Sequence, residues 1–332
     1  MRSRVLRIFQ NVPQDVEAVV LANAVDPHLD LTFFYATDLV GGGLFERSYA
    51  VLTRDGRVEV LTSPLEEGLG RKAPEAEVTV YTQPDERDAW LGKRLAGARK
   101  IGFNGAEVVW SELETVRKVA GAAALVDVSQ GLLRTRLVKD ATELARMQRA
   151  ADIASRVADE VPSLLAAGIK EYELAAEINH RMQRLGATGP SFTTIVAFGP
   201  NAAEPHYASG PAPLGRGQLA LTDFGCVVDH YCSDITRTFG FGGAGSELRD
   251  MYDTVLRAQE AAIAVMRPGA KGVDVHAAAA KVIDATRWKG RFIHGTGHGL
   301  GLVVHDGGAM NSRYDLTLEE GMVLTVEPGV YV

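Results

Sequence analysis

The chain has 332 residues, 46% hydrophobic, 23% charged and 7% aromatic, a balance typical of a globular protein long enough to enclose two cores. A net charge of -7 without any basic stripe argues against nucleic acid as the main partner. The opening MRSRVLRIFQNVPQDVEAVV lacks the continuous apolar core of a leader, and no run approaches the roughly 18 apolar residues of a spanning helix, so neither secretion nor a membrane partner is expected.

The first 135 residues alternate short strands and helices, among them YAVLTRDGRVEVLT (Tyr49 to Thr62), two alternating runs joined at Asp55-Gly56 as in a hairpin. A second domain is expected over 136-332. Its first helix is signalled by Asp140 as N-cap and Glu143 three positions on, with Leu144, Met147, Ala151 and Ala154 at helical spacing. The next helix runs from about Lys170 to Leu185, with Leu174, Ile178 and Met182 on one face and Gly186 as its stop. Strands follow, then helices over Ser246 to Met266, ended by Pro268-Gly269, and from Asp274 to about Arg287, then strands to the C-terminus. Two α-then-β halves imply one α+β domain with a mainly antiparallel sheet.

Within its first strands lies DFGCVVDHYCSDITRT (Asp223 to Thr238), which sets Asp223, Asp229, Tyr231 and Asp234 among strand-forming residues. A solvent-exposed hairpin edge would explain so much charge, and so would a hard cation, which makes buried carboxylates tolerable. Asp229 falls in VVDHY, which reads as a hairpin tip; His230 beside it is assigned no role. Cys226 and Cys232, six apart, form neither a disulfide framework nor a CxxC zinc site, and a reducing, cytoplasmic setting fits them. Strand alternation places both cysteines on one face with Asp234 and away from Asp223.

Three further stretches carry chemistry-bearing residues: PHYASG with His206, HGTGHGLGLVVHDGG with His294, His298 and His305, and VLTVEPGVYV with Glu327. A lone histidine such as His206 is ordinarily a surface or core residue. His294 and His298 are four apart, as in a helical zinc pair, but Gly295, Gly297 and Gly299 make a helix there improbable. The same glycines imitate a dinucleotide loop without the strand and helix that such a loop joins. DFG at Asp223 to Gly225 lacks the other kinase signatures.

Taken together, two aspartates eleven apart, a glycine-flanked His298, His305 seven later and Glu327 before Pro-Gly on a strand resemble the metal-dependent peptidases of the pita-bread fold. That family includes methionine aminopeptidase, prolidase, aminopeptidase P and the metal-free creatinase. GPSFTTIVAFGPNAAEPH (Gly189 to His206) adds to the likeness, which spans about Lys139 to Val332. Residues 1-135 look like the creatinase/prolidase N-terminal domain, a smaller α/β unit, which disfavours the methionine aminopeptidase branch.

The resemblance implies Asp223, Asp234, His298 and Glu327 as ligands of two divalent metal ions, with Asp234 bridging. It also implies His206 and His305 facing substrate and His294 lining its pocket, and the aromatic of PSFTT, Phe192, is a candidate for another wall of that pocket. Thr236 and Thr325 are expected to hold the ligands by their hydroxyls. A mostly hard ligand set favours Mn2+, with Co2+ or Zn2+ as alternatives. The chemistry follows from the residue types: a water between two cations becomes hydroxide near neutral pH, Glu327 relays its proton, and His206 and His305 stabilise the oxyanion. The implied activity is hydrolysis of Xaa-Pro bonds in dipeptides or short peptides, as an Xaa-Pro dipeptidase or an aminopeptidase P, by a homodimer. A creatinase-like amidinohydrolase or a non-catalytic binding protein on this fold are the other readings, and both branches usually lose the ligands kept here. The family carries a second bridging Glu beyond the Glu327 motif, while this sequence ends at Val332 inside an expected strand, so either the C-terminus is shortened, the favoured reading, or the metal site is defective.

Overall fold

A computed structural model describes residues 1–39, 42–73 and 75–332. The chain divides into two compact units, Met1–Arg136 and Leu137–Val332. No described helix is long and apolar enough to cross a membrane.

The first unit contains β1 (Ala18–Ala22), β2 (Tyr49–Thr53), β3 (Val58–Thr62), β4 (Glu77–Val80), β5 (Lys100–Phe103) and β6 (Ala124–Asp127), in the order β4-β3-β2-β1-β5-β6. β2 and β3 form the hairpin expected at Asp55-Gly56, with Gly56 at φ 87°. The β3–β4, β1–β5 and β5–β6 pairs are parallel, so helices must carry the crossovers. Those between parallel neighbours and on the way from β4 to β5 are α3 (Glu67–Gly70), α4 (Pro84–Leu95) and α5 (Trp110–Ala120), while α1 (Arg2–Asn11) precedes β1, α2 (Leu31–Thr37) joins β1 to β2 and α6 (Ser129–Leu137) follows β6. Trp90, Leu91 and Leu95 of α4 and Val116 of α5 bury themselves on Val20, Val51 and Ile101 of the sheet.

In the second unit α7 (Ala141–Leu164) starts at Asp140, whose carboxylate accepts the N–H of Glu143 while Glu143 accepts that of Asp140. This reciprocal pair satisfies two of the helix's orphan donors. α8 (Glu171–Arg184) ends at Leu185, followed by Gly186 at φ 104°. The inward faces of both helices, including Ala154, Val157, Leu174, Ile178 and Met182, pack on Val196, Phe198, Ala220 and Phe224. Those last four residues lie on β8 (Ile195–Phe198) and β9 (Leu219–Phe224), which with β7 (Gly189–Pro190), β10 (Cys226–Val228), β11 (Tyr231–Cys232) and β12 (Ile235–Gly240) are short strands, all paired antiparallel. The pattern then repeats. α9 (Ser246–Val265) and α10 (Gly272–Asp284) bury Ala258, Ala262, Val275, Ala279 and Ile283 against Met310, Leu316 and Leu318.

Two expectations need correction. α10 begins and ends a little earlier than expected, because the backbone N–H of Gly272 bonds to Leu316 and the chain after Asp284 turns to bury Trp288. The strands expected near the C-terminus reduce to β13 (Gly297–His298) and β14 (Ala309–Met310), and Glu327 lies on no regular strand. Its segment is nonetheless extended and held along one edge, with Leu300 N–H on Val323 O, Thr325 N–H on His298 O and Glu327 N–H on Thr296 O. That one-sided antiparallel ladder fixes Glu327 opposite the β13 strand.

Candidate active site

The acidic stretch folds as one long hairpin. Leu219 pairs with Gly240 and Asp223 with Thr236 in one three-stranded sheet, and after a break at Gly225 and Ser233-Asp234 the same register resumes in a second sheet, where Val228 pairs with Tyr231. Asp229 and His230 form its two-residue tip at φ 49° and 67°, the left-handed pair that such a turn requires. Asp229 also pairs with Arg149 at 2.7 Å, and Tyr231 donates to Glu143 at 3.1 Å, so the tip is tied to α7.

This reversal overturns the face assignment made from alternation. Counting through the tip as if it were one strand separates Asp223 from Asp234, but across an antiparallel pair the register decides. Thr236 pairs with Asp223 and Asp234 stands two residues before Thr236, so alternation puts the two aspartates on one face with Thr236. Cys226 instead shares the other face with Ser233, whose hydroxyl lies 3.6 Å from its sulfur, while Cys232 contacts Leu302 O. Both thiols are free and buried, and burial pushes Cys232 up to about 12. Gly225 is obligatory here, because a Cβ would lie 1.8 Å from the carbonyl oxygen of Ser233.

Against this face come β13 and the Glu327 segment. His298 Nε2 stands 3.1 Å from Glu327 Oε1 and 3.6 Å from Asp234 Oδ2. Thr325 knits the two backbones, accepting the N–H of His298 at 3.0 Å and donating to Glu327 at 2.7 Å. Thr236 donates to Asp223 at 2.8 Å. His305 stacks edge-on to His298 with ring centroids 4.1 Å apart, in a loop fastened by buried Asp306, which accepts the N–H of Leu302. His206 is exposed, and its charge is felt by both Asp223 and His305. Phe192 is half-buried in the segment between β7 and β8. His294 lies beyond Thr296, with Nε2 2.8 Å from the hydroxyl of Tyr331.

Electrostatically the cluster is short of positive charge. Burial, aggravated by Glu327, raises Asp223 to about 6, and burial with the charges of Asp223 and Glu327 raises Asp234 to about 7. Behind Asp234 a cavity of about 220 Å³, lined by Leu144, Met147, Ala151, Leu300 and Val323 among others, provides the apolar surroundings. Burial works against Glu327 too, but hydrogen bonds from His298 and Thr325 outweigh it and hold Glu327 below the ordinary glutamate range. Burial likewise opposes a charged His298, and Glu327 overcomes it, so the ring titrates above the usual value. His305 is driven the other way, by burial and by His298 and His206, and favours the neutral form.

This donor set suits a divalent cation. Ligand atoms that each contact one ion at about 2.1 Å stand roughly 3 to 3.5 Å from one another, close to the separations around His298 Nε2. Carboxylates with raised pKa values gain most from a cation that neutralises them. Among the described residues no three such side chains already surround a single point, and the shared contact is a hydrogen-bonded one centred on that imidazole nitrogen.

Sequence reasoning missed Tyr331, which is four residues past Glu327 and is raised to about 12 by burial and the nearby carboxylates. It also missed His276 on α10, which contacts the hydroxyl of Thr296 at 3.0 Å and packs on Phe292. The GTGHG glycines had a readable signal once a dinucleotide loop was rejected. A Cβ on Gly297 would meet the Thr325 carbonyl at 1.9 Å, so they permit two backbones to touch.

A model described as Metallopeptidase family M24 matches residues 145–332, and one described as Creatinase/Prolidase N-terminal domain matches residues 14–138. An Xaa-Pro dipeptidase from Pyrococcus furiosus is 28% identical over 100% of this chain and 91% of its own length. Among solved structures, an X-Pro aminopeptidase from Thermotoga maritima is 27% identical with a TM-score of 0.90, covering 98% of this chain and 91% of that one. An Xaa-Pro dipeptidase from Bacillus anthracis is 27% identical with a TM-score of 0.89, covering 99% and 90%.

Proposed function

This chain belongs to metallopeptidase family M24, and from that premise we propose that it is an Xaa-Pro dipeptidase. The observation that carries the reading is the meeting of Asp234, His298 and Glu327 beside Asp223, in the part of the chain matched by the family. The likeness to Xaa-Pro dipeptidases over the whole chain supports the substrate class.

Asp223, Asp234, His298 and Glu327 would hold two divalent ions, Mn2+ best on this oxygen-rich set, with Co2+ or Zn2+ as alternatives. When bound, such ions supply Lewis acidity to the carbonyl and make water acidic enough to attack near neutral pH. The protein's own groups do the rest. Glu327 is an ionised carboxylate held by Thr325, fit to take a proton from the attacking water and return it to the prolyl nitrogen. Neutral His305 and the exposed His206 donate hydrogen bonds to the oxyanion as it forms. Thr236 and Thr325 fix the carboxylate rotamers. Phe192 and His294, the latter oriented by Tyr331, form the walls for the proline ring. Residues 1-135 form the N-terminal domain and 136-332 the catalytic one, the active form is a homodimer, and the buried free cysteines suit a cytoplasmic protein.

The likeness to an X-Pro aminopeptidase favours a second reading, cleavage of longer peptides. A panel of Leu-Pro, Ala-Pro-Ala, Ala-Ala and creatine, assayed on the full-length enzyme with Mn2+, separates the two. Hydrolysis of Leu-Pro without Ala-Pro-Ala is the expected result. Cleavage of the tripeptide selects the aminopeptidase, and Ala-Ala cut as fast as Leu-Pro refutes the prolyl assignment.

A further inference from the structure

Glu171 opens α8, is fully buried, and lies outside the cluster described above. Its carboxylate is completely used. Oε1 accepts the backbone N–H of Phe198 and the side-chain amide of Asn201, both at 2.8 Å. Oε2 accepts the hydroxyl of Tyr207 at 2.8 Å and the backbone N–H of Gly210 at 2.9 Å. All four donors belong to the segment from Phe198 to Gly210, which carries His206 and contains little regular structure beyond a short 3-10 turn at Gly199–Ala203.

Burying a carboxylate with four donors is costly unless every bond is made, and a neutral hydrogen-bonding residue would serve a purely structural loop at lower cost. What the charge adds is stiffness, since charge-assisted hydrogen bonds are shorter and stronger than neutral ones. The bond from Tyr207 fixes the residue next to His206, and Asn201 donates to the same hydroxyl at 2.8 Å, closing a triangle around it. Glu171 draws the Tyr207 hydroxyl proton into this bond strongly enough to raise that phenol.

We propose that Glu171 is a positioning residue for His206, setting the imidazole at the reacting carbonyl through Tyr207 and Asn201. The inference rests on the role given to His206 under the proposed function. The carboxamide of Glu171→Gln keeps the shape but turns its amide nitrogen toward two of the four donors, leaving both mismatched.

The test is a double-mutant cycle of Glu171→Gln and His206→Ala in the full-length Mn2+ enzyme, with Tyr207→Phe as a milder substitute should Glu171→Gln fail to fold. Glu171→Gln is expected to lower kcat by roughly 10-fold or more at unchanged KM and metal content, because small misplacements of a catalytic group are expensive. In the His206→Ala background the same substitution should have almost no further effect on kcat. Equal losses in both backgrounds would assign Glu171 to folding alone and overturn the inference while leaving His206 its role. A His206→Ala enzyme with wild-type kcat would overturn the role of His206, and this inference with it.

Discussion

A Cβ built on Gly297 would lie 1.9 Å from the carbonyl oxygen of Thr325, so the strand bearing His298 and the segment bearing Glu327 touch without a side chain between them. That closeness lets one threonine hydroxyl bond to both His298 and Glu327. Gly297→Ala is expected to part the two backbones and lower stability by about 1–3 kcal/mol, the usual cost of overpacking. Its loss of metal, read by elemental analysis on the folded fraction, should exceed its loss of thermal stability. Full metal content in Gly297→Ala would contradict this account.

Thr325→Val removes the hydroxyl while keeping a β-branched shape suited to an extended segment. Metal affinity or activity should fall by roughly 10- to 100-fold, the range seen when a ligand loses its supporting hydrogen bond. Titration of chelated protein with Mn2+ measures it, and wild-type affinity would show that Glu327 needs no help from Thr325.

Asp223 and Asp234 make the metal-free protein sensitive to pH. Both are raised in the folded state, to about 6 and about 7, from 3.8. Between the ordinary and the raised value the folded protein binds more protons than the unfolded one, so stability is present at low pH and is lost as pH rises through that window. Chelated protein should therefore melt at a lower temperature at pH 8 than at pH 5, by an amount on the order of 4 kcal/mol in stability. Asp234→Asn should flatten that slope and raise the melting temperature of the chelated protein at pH 8 while abolishing activity. A chelated wild type more stable at pH 8 would refute the assignment of these two carboxylates.

The residues proposed for this site stand out in the sequence, but their arrangement was only partly legible there. Asp140 with Glu143, Gly186 and the Asp55-Gly56 turn are local signals whose physics is complete within a few residues, and each element formed where they stand. The sharing of a face by Asp223 and Asp234 was misread because it depends on where the chain reverses, and a single tip at Asp229 and His230 inverts the parity of every residue after it. Glu327 was expected on a strand, whereas its ladder is one-sided, a tertiary property that alternation does not encode. Tyr331 and Glu171 escaped notice because their partners His294 and Tyr207 lie 37 and 36 residues away.

His206 and His305 are assigned to the oxyanion rather than to metal. Alanine at either should lower kcat for Leu-Pro by roughly 100-fold, as for the loss of an oxyanion donor, with metal content intact. Loss of metal in either variant would make that residue a ligand.

The central claim, that Asp223, Asp234, His298 and Glu327 hold the ions on which prolyl-dipeptide hydrolysis depends, is tested most directly by chelation and reconstitution. Full-length enzyme stripped of metal should not hydrolyse Leu-Pro, and Mn2+ should restore the rate in the wild type but not in His298→Ala. Hydrolysis of Leu-Pro by the exhaustively chelated enzyme, or its recovery with Mn2+ in His298→Ala, would contradict the account.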